Sequence, residues 1–269
     1  MSTYRYPIAV QIVLPEQYQE QEDFAMLLKK LKGQGFTGLE LNMRNPADVS
    51  IDELSSFLDQ FGLHMTMFAS GLTAKTHGLS LSHEQHEQRE RAVSLLLDMI
   101  DKLADRNIGI IVGFLKGPVS SDPVGARDRI KESLAKVAPA AEDADVQVLL
   151  EATNRYESSV ANSLQDAADI IDHVGSEALK MLPDTFHMNI EERNMFDALS
   201  TYRGYYSSIH LSDNNRFLPG HGALDFEKII RYLDETSYQG GLALEGNTLV
   251  SLEDDLVKAM GYLAPMILK

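Results

Sequence analysis

The segment VQVLLEATNRYESSVANSLQDAADIIDHVGSEALKMLPD, residues 146–184, contains the repeating unit from which the fold can be predicted. An apolar run ends at Glu151, a polar loop follows, and a second apolar run ends at Asp184. Between the runs, apolar residues recur at helical spacing, at Leu164, Ala168, Ile171 and Val174. Gly175 then supplies a helix stop. The segment therefore predicts two buried parallel strands joined by a helix.

The same unit recurs along the whole sequence, with no low-complexity segment and no linker rich in Pro, Gly or Ser. The apolar runs are PIAVQIVL from Pro7, FTGLELNM from Phe36, LHMTMFA from Leu63, IGIIVGFL from Ile108, VQVLLE from Val146, LKMLPD from Leu179, YSSIHL from Tyr206 and GLALEG from Gly241. Eight strand–helix units in about 250 residues is the number in a (β/α)8 barrel. A doubly wound open sheet is the alternative, but no GxGxxG motif follows a strand. We expect residues 1–269 to form a single α/β domain, a (β/α)8 TIM barrel.

The composition is typical of a soluble globular protein and narrows the possible partners. Hydrophobic residues make up 44% of the 269 residues, and the formal net charge is −16. This charge opposes nucleic acid or an anionic membrane as the main partner, because both require basic patches. The absence of cysteine excludes disulfides, thiolate metal sites and a cysteine nucleophile. The N-terminal apolar run is too short to span a membrane, and we expect a cytoplasmic protein without a signal peptide.

Residues of the kinds that bind metals lie at the ends of four consecutive predicted strands. They are Glu151, Asp184, His210 and Glu245. Their spacings of 33, 26 and 35 residues each correspond to about one βα unit. Any one of them alone could be a solvated loop residue, but the regular spacing predicts that all four meet at the barrel's C-terminal mouth. Three carboxylates and one imidazole favour Mn²⁺ or Mg²⁺, tolerate Co²⁺ and suit Zn²⁺ less.

Two further residues lie close in sequence to these predicted ligands. His187 comes three residues after Asp184, and Arg216 follows His210 in the segment HLSDNNR. Both are placed to contact a substrate bound at the metal. The alternatives are that His187 orients a metal ligand and that Arg216 is a solvated loop charge.

The motifs around these residues resemble those of the xylose-isomerase-like barrel superfamily of sugar isomerases and epimerases. The nearest branch is that of D-tagatose 3-epimerase and D-psicose 3-epimerase. The matching segments are EATNRYE (Glu151–Glu157), DTFHMNIEE (Asp184–Glu192), HLSDNNRFLPGHGALDF (His210–Phe226) and LEGN (Leu244–Asn247). The N-terminal half agrees more loosely, mainly in its βα rhythm and in the segment ASGLTAKT.

The resemblance implies a divalent metal, typically Mn²⁺, and a role for several residues. The implied metal ligands are Glu151, Asp184, His210 and Glu245. Glu151 and Glu245 would also serve as acid and base. His187 and Arg216 would bind the substrate oxygens beside the reacting carbon, and Glu157 would contact the substrate.

One segment departs from the family's pattern. The family's ketose epimerases carry a Trp after the fourth strand, whereas this chain contains no Trp and has GFLKGP there. Lys116 in this segment is a candidate substrate contact, with a solvated loop lysine as the alternative. The resemblance also implies a homo-oligomer, either a dimer or a tetramer, with a small-molecule sugar as substrate.

Together these features favour a metal-dependent epimerase or isomerase of a keto-sugar, acting by proton transfer through a metal-stabilised enediolate. An epimerase needs acid and base on both faces of the substrate, whereas an aldose–ketose isomerase needs only one face. A metal-dependent dehydratase of an inositol-type ketone is an alternative. A phosphodiesterase or endonuclease on the same fold is opposed by the charge of −16. A glycosidase has no need of the metal ligands, and a non-enzymatic metal-stabilised sugar-binding protein is the remaining class.

Overall fold

The eight apolar runs form the strands of one sheet in the computed structural model, which describes residues 4–269. The strands are β1 (Ile8–Val13), β2 (Gly38–Asn42), β3 (His64–Ala69), β4 (Gly109–Val112), β5 (Val148–Glu151), β6 (Leu179–Leu182), β7 (Ser208–Leu211) and β8 (Gly241–Leu244). Neighbouring strands pair in parallel in the order β6-β5-β4-β3-β2-β1-β8-β7. The two outer strands meet through a parallel bridge between Asp184 and His210. This closes the barrel and confirms the predicted (β/α)8 fold.

Helices follow the strands and pack around the barrel. Those described within residues 4–269 are α1 (Glu22–Gly33), α2 (Ile51–Asp59), α3 (Gly71–His77), α4 (His86–Leu103), α5 (Pro123–Asp143), α6 (Leu164–Val174), α7 (Thr185–Glu191), α8 (Met195–Thr201), α9 (Phe226–Glu235) and α10 (Leu252–Ile267). In α6, Ser163 and Asp166 form a reciprocal capping box, and Gly175 ends the helix with a φ of 72°. Across this described part of the chain, each helix is too short or too polar to cross a bilayer.

Alternation of side chains along the strands places the predicted ligands inside the barrel. A small apolar cluster of Ala69, Ile111, Leu149 and Leu182 is separate from the main core beneath the helices. It comes from four adjacent strands and therefore fills the barrel interior. Because side chains two residues apart share a face, Glu151 points inward with Leu149, and Asp184 points inward with Leu182.

Candidate metal and substrate site

The four predicted ligands converge at the C-terminal mouth of the barrel. Each of Glu151, Asp184, His210 and Glu245 offers one nitrogen or oxygen, and these atoms all lie within 4.8 Å of one another. The first three residues are buried, and the Glu245 side chain is 19% exposed. The Nδ1 atom of His210 lies 2.7 Å from Glu245 Oε2 and 3.7 Å from Glu151 Oε1. The prediction that successive strands bring these groups together is confirmed.

Glu151 provides the observation that tests whether a cation fits here. Its Oε1 atom is buried and has no hydrogen-bond partner among residues 4–269. A buried carboxylate oxygen without a partner is costly, and a divalent cation would compensate for this cost. Gly113 leaves room for this carboxylate, because a Cβ at that position would lie 2.1 Å from Glu151 Oε2. The residues present therefore fit a hard divalent cation.

A carboxylate that the sequence analysis did not identify orients His210. Glu40 on β2 is buried, and its Oε2 atom lies 2.8 Å from His210 Nε2. In its neutral form His210 would donate from Nε2 to Glu40, and its Nδ1 lone pair would then be available to a cation held between Glu151, Asp184 and Glu245. Burial opposes the charged form of His210, but the carboxylates of Glu40, Glu151 and Glu245 outweigh it and raise the pKa of the imidazole.

Arg216 lies against the same cluster, as its sequence position predicted. Its Nη1 atom is 2.5 Å from Asp184 Oδ2, and its Nη2 atom is 2.6 Å from Glu245 Oε1. The guanidinium also lies over the ring of Phe186, 5.2 Å from the ring centroid. Burial alone would raise the pKa of Glu245, but the charge of Arg216 and the hydrogen bond from His210 lower it well below its usual range.

The loop after β7 holds Arg216 in an unfavourable backbone conformation. Arg216 has a φ of 64°, which is uncommon for a residue with a side chain. Buried Asp213 organises the loop by accepting from the backbone N–H groups of Gly220 and Gly222 at 3.1 and 2.8 Å. A Cβ on Gly222 would lie 2.3 Å from Asp213 Oδ1, so this turn requires glycine. The Asn247 N–H donates to the Arg216 carbonyl at 2.7 Å and fixes its other side.

His187 is buried beside Glu151, and a second unpredicted residue fixes its tautomer. Its Nδ1 atom accepts from the Asn154 backbone N–H at 3.2 Å and from Asn154 Nδ2 at 2.8 Å. The proton therefore resides on Nε2, which lies 3.8 Å from Glu151 Oε1. Asn154 Nδ2 also donates to Glu157 Oε1 at 3.1 Å, which links the two predicted substrate contacts. Asn154 lies within the quoted segment EATNRYE, but its residue type alone gave no signal.

The structure places Lys116 away from the cavity, unlike the prediction that it contacts substrate. The side chain is fully buried, and Nζ donates to the Glu151 carbonyl at 2.5 Å and to Thr153 Oγ1 at 2.7 Å. Burial lowers the pKa of Lys116 to about 8, although the carboxylates of Glu151 and Glu157 act in the opposite direction. A short 3₁₀ turn over Phe114–Lys116 directs this lysine beneath the end of β5, where it supports the backbone of Glu151.

The cluster opens into a cavity of about 280 Å³ at the barrel mouth. Five of its lining residues are predicted site residues, namely Glu151, Glu157, His187, Arg216 and Glu245. The opposite wall is made by residues that the sequence analysis did not identify, namely Gln11, Asn42, Ser70, Lys75 and Phe114. A small cavity whose lining is mostly polar suits a small polar molecule.

Comparison with known proteins shows to which family the chain belongs. The sequence matches a family described as xylose isomerase-like TIM barrel over residues 28–266. D-psicose 3-epimerase of Enterocloster bolteae is 32% identical over 234 residues, covering 83% of this chain and 76% of that protein. The 3-dehydro-D-guloside 4-epimerase of Escherichia coli K12 is 26% identical over 234 residues, covering 84% and 87%. The apo crystal structure of 3-keto-D-glucoside 4-epimerase from E. coli superposes with a TM-score of 0.79 at 26% identity, covering 97% of this chain and 98% of that one. This chain belongs to the xylose isomerase-like TIM barrel family.

Proposed function

We propose that this protein is a divalent-metal-dependent epimerase of a keto-sugar, in which Glu151 and Glu245 transfer protons on opposite faces of the substrate. The observation that carries the proposal is the four-residue cluster, with a buried Glu151 oxygen that has no partner within residues 4–269. Relatives that are named 3-epimerases and 4-epimerases of keto-sugars support the reaction class.

Glu151, Asp184, His210 and Glu245 would hold the cation, and their mostly oxygen donor set supports Mn²⁺, with Mg²⁺ or Co²⁺ as substitutes. When bound, the cation would act as a Lewis acid on the substrate carbonyl and so acidify the neighbouring C–H bond. The requirement for a hard cation would separate this protein from a two-carboxylate glycosidase, which needs no such ion.

The two glutamates flank the cluster along the barrel wall, since Glu151 ends β5 and Glu245 follows β8. In one direction Glu151 removes the proton from carbon, and the C–H electron pair moves toward the carbonyl oxygen to give an enediolate. Glu245 then returns a proton to the other face, and the roles exchange in the reverse reaction. Each glutamate exchanges its proton with water between turnovers.

Arg216 would interact with both the substrate oxyanion and Glu245, the residue that donates the proton. In the free protein its guanidinium pairs with Asp184 and Glu245 and lowers the pKa of Glu245. When Arg216 turns part of its charge to the developing substrate oxyanion, Glu245 loses that stabilisation, and its affinity for a proton rises. His187 donates from Nε2 to a second substrate oxygen, because Asn154 keeps Nδ1 as an acceptor.

The test is turnover in D₂O with Mn²⁺ on a panel of ketoses and 3-keto sugars. We expect deuterium at the carbon whose configuration inverts, and little deuterium in recovered substrate, because each glutamate serves one face. Partial direct transfer of the original hydrogen would indicate a one-base isomerase. Loss of water from the product would indicate a dehydratase. Product without solvent deuterium after many turnovers would contradict proton transfer altogether.

Metal dependence is tested on the same panel. Protein shown to be metal-free by elemental analysis should be inactive, and Mn²⁺, Mg²⁺ or Co²⁺ should restore its activity. Full turnover by the metal-free protein would contradict the proposal. The homo-oligomer and the cytoplasmic location stay predictions, and light scattering would test the first of them.

A further inference from the structure

A large groove opens directly from the cavity at the barrel mouth. This outer groove has a volume of about 990 Å³, against about 280 Å³ for the inner cavity. It runs over the end of β1, past α1, to the start of α10, and is defined by Val13, Pro15, Asp23, Leu27, Asn247 and Leu252. Arg216, Glu245 and Lys75 line both spaces, so a substrate held at the metal cluster can extend into the groove without a break.

Unused hydrogen-bond donors lie where the cavity and the groove meet. Both ends of the Asn42 amide are engaged, since Nδ2 donates to Gln11 Oε1 at 2.8 Å and Oδ1 accepts from the Leu72 N–H at 3.1 Å. This orients Gln11 and leaves its Nε2 atom without an acceptor in the described part of the chain. Lys75 is exposed, lies 4.6 Å from the centroid of the Phe114 ring and pairs with no carboxylate of residues 4–269. Donors of this kind suit the hydroxyl and ether oxygens of a sugar.

The charges at this junction disfavour a phosphate or a carboxylate on the substrate. Arg216 is already paired with Asp184 and Glu245, so among the described residues that line the groove Lys75 is the cation left for a distal group. Asp23 and Glu157 line the same groove and outnumber that charge by one, and Glu253, which also lines it, is paired with Lys30. An anionic substituent would therefore meet no net positive potential, whereas a neutral one would meet no net repulsion.

The outer wall of the groove combines apolar and polar groups. Val13 is 56% exposed there and lies with Pro15, Leu27 and Leu252 along the groove. Asn247 and Ser251 add polar groups on the same groove. A sugar ring has an apolar C–H face and polar edges, which match such a surface better than they match a uniformly charged or uniformly apolar one.

We propose that the outer groove binds a neutral glycosyl substituent, so that the preferred substrate is a keto-sugar carrying a second sugar ring rather than a free or phosphorylated ketose. This inference rests on the epimerase activity proposed above. Glu151 and Glu245 act on the ring in the inner cavity, Gln11 and Lys75 bind oxygens near the linkage, and the second ring packs on Val13 and Leu252.

The experiment uses matched substrates with Mn²⁺ present. D-fructose is compared with isomaltulose, which is fructose carrying a glucosyl group at O6, and 3-keto-D-glucose is compared with 3-keto-trehalose and 3-keto-cellobiose. D-fructose 6-phosphate is the anionic control. We expect kcat/KM, measured by deuterium incorporation, to be at least tenfold higher for a glycosylated member than for its free sugar, with the phosphate no better than the free sugar.

A variant that fills the outer groove provides a second test of the proposal. Val13→Trp should lower kcat/KM for the glycosylated substrate at least tenfold and leave that for the free sugar within about twofold. Val257→Trp is the matched control, because Val257 is also 56% exposed but lies on α10 outside the groove lining. A free sugar or phosphate used as well as the glycosides, or equal losses on both substrates in Val13→Trp, would overturn the groove assignment alone. No turnover of any probe by the metal-loaded protein would overturn the proposed function, and the inference with it.

Discussion

The two halves of the barrel contribute different chemistry to the same mouth. The half formed by β5 to β8 supplies all four residues of the metal-type cluster, and its loops supply His187 and Arg216. The half formed by β1 to β4 supplies neutral or supporting groups, such as Gln11 and Lys75 on the cavity wall and Glu40 behind His210. Under the proposed function, the β5–β8 half would carry out the reaction, and the β1–β4 half, together with the groove residues that follow β8, would select the substituent on the substrate.

The largest effect expected in this comparison comes from the proton-transfer residues of the β5–β8 half. Glu151→Gln and Glu245→Gln should each reduce kcat by about 10²–10⁴, because an amide oxygen can still ligate but cannot accept the proton. Steady-state kinetics at saturating Mn²⁺ would measure this loss. Glu192→Gln is the control, since Glu192 lies in the same half but accepts from the Leu164 N–H at 2.8 Å, away from the cavity. If either active-site variant kept near-normal kcat, its acid–base role would be withdrawn.

The second largest effect on activity is expected for the replacement of Arg216. Arg216→Ala keeps the Cβ and so changes the strained backbone little, but it removes the charge that faces the developing oxyanion. Loss of one such donor typically raises the barrier by about 2.7–4 kcal/mol, which corresponds to about 10²–10³ in rate. We expect this loss in kcat/KM together with a melting temperature of the Mn²⁺-loaded protein close to that of the wild type. Equal loss of activity and of folded protein would assign Arg216 a structural role instead.

A smaller effect would show how the β1–β4 half serves the metal cluster. Glu40→Gln should weaken Mn²⁺ binding about 10–100-fold, because the neutral amide no longer increases the basicity of His210 through Nε2. Isothermal titration calorimetry on the metal-free protein measures this without relying on turnover. Unchanged Mn²⁺ affinity in Glu40→Gln, with Glu192→Gln also unchanged, would show that the hydrogen bond from His210 to Glu40 does not tune the ligand.

Glu40 is the part of this site that the sequence did not predict. The strand-end residues were predictable because each follows an apolar run at the spacing of one βα unit, and a parallel barrel brings such ends together. Glu40 lies inside the run FTGLELNM, and nothing in that run says which way its side chain faces. A carboxylate within a buried strand is costly without a partner, so its presence was a usable signal. Its partner His210, 170 residues away, required the closed barrel.

The direction of the Lys116 side chain and the length of α5 also differ from what the sequence predicts. A lysine after a strand normally points to solvent, but here a single 3₁₀ turn reverses its direction and buries it beneath β5. The apolar residues from Ile130 to Val137 predict only a short helix there, whereas α5 extends over Pro123–Asp143. Asp122 caps its first turn by accepting from the Gly125 N–H at 3.0 Å. The helix continues through Pro139 because tertiary packing of its buried face outweighs one missing hydrogen bond.

The smallest expected effect is a change of Mn²⁺ affinity with pH, which tests the link between the two halves. Metal binding requires a neutral His210 with its Nδ1 lone pair free, whereas the surrounding carboxylates raise the pKa of the metal-free imidazole above its usual 6.5. Below that raised pKa a proton must leave when Mn²⁺ binds. Apparent affinity should therefore increase with pH, by at most about tenfold per unit for one proton, and continue to increase above pH 6.5. Titrations at several pH values, in two buffers of different ionisation enthalpy, would measure both the affinity and the released proton. In Glu40→Gln the imidazole loses a carboxylate that raises its pKa, so the whole pH dependence of Mn²⁺ affinity and of proton release should move to lower pH. A wild-type affinity that did not vary with pH, or a variant whose pH dependence did not move, would show that Glu40 does not control the protonation of the ligand on the opposite side of the barrel.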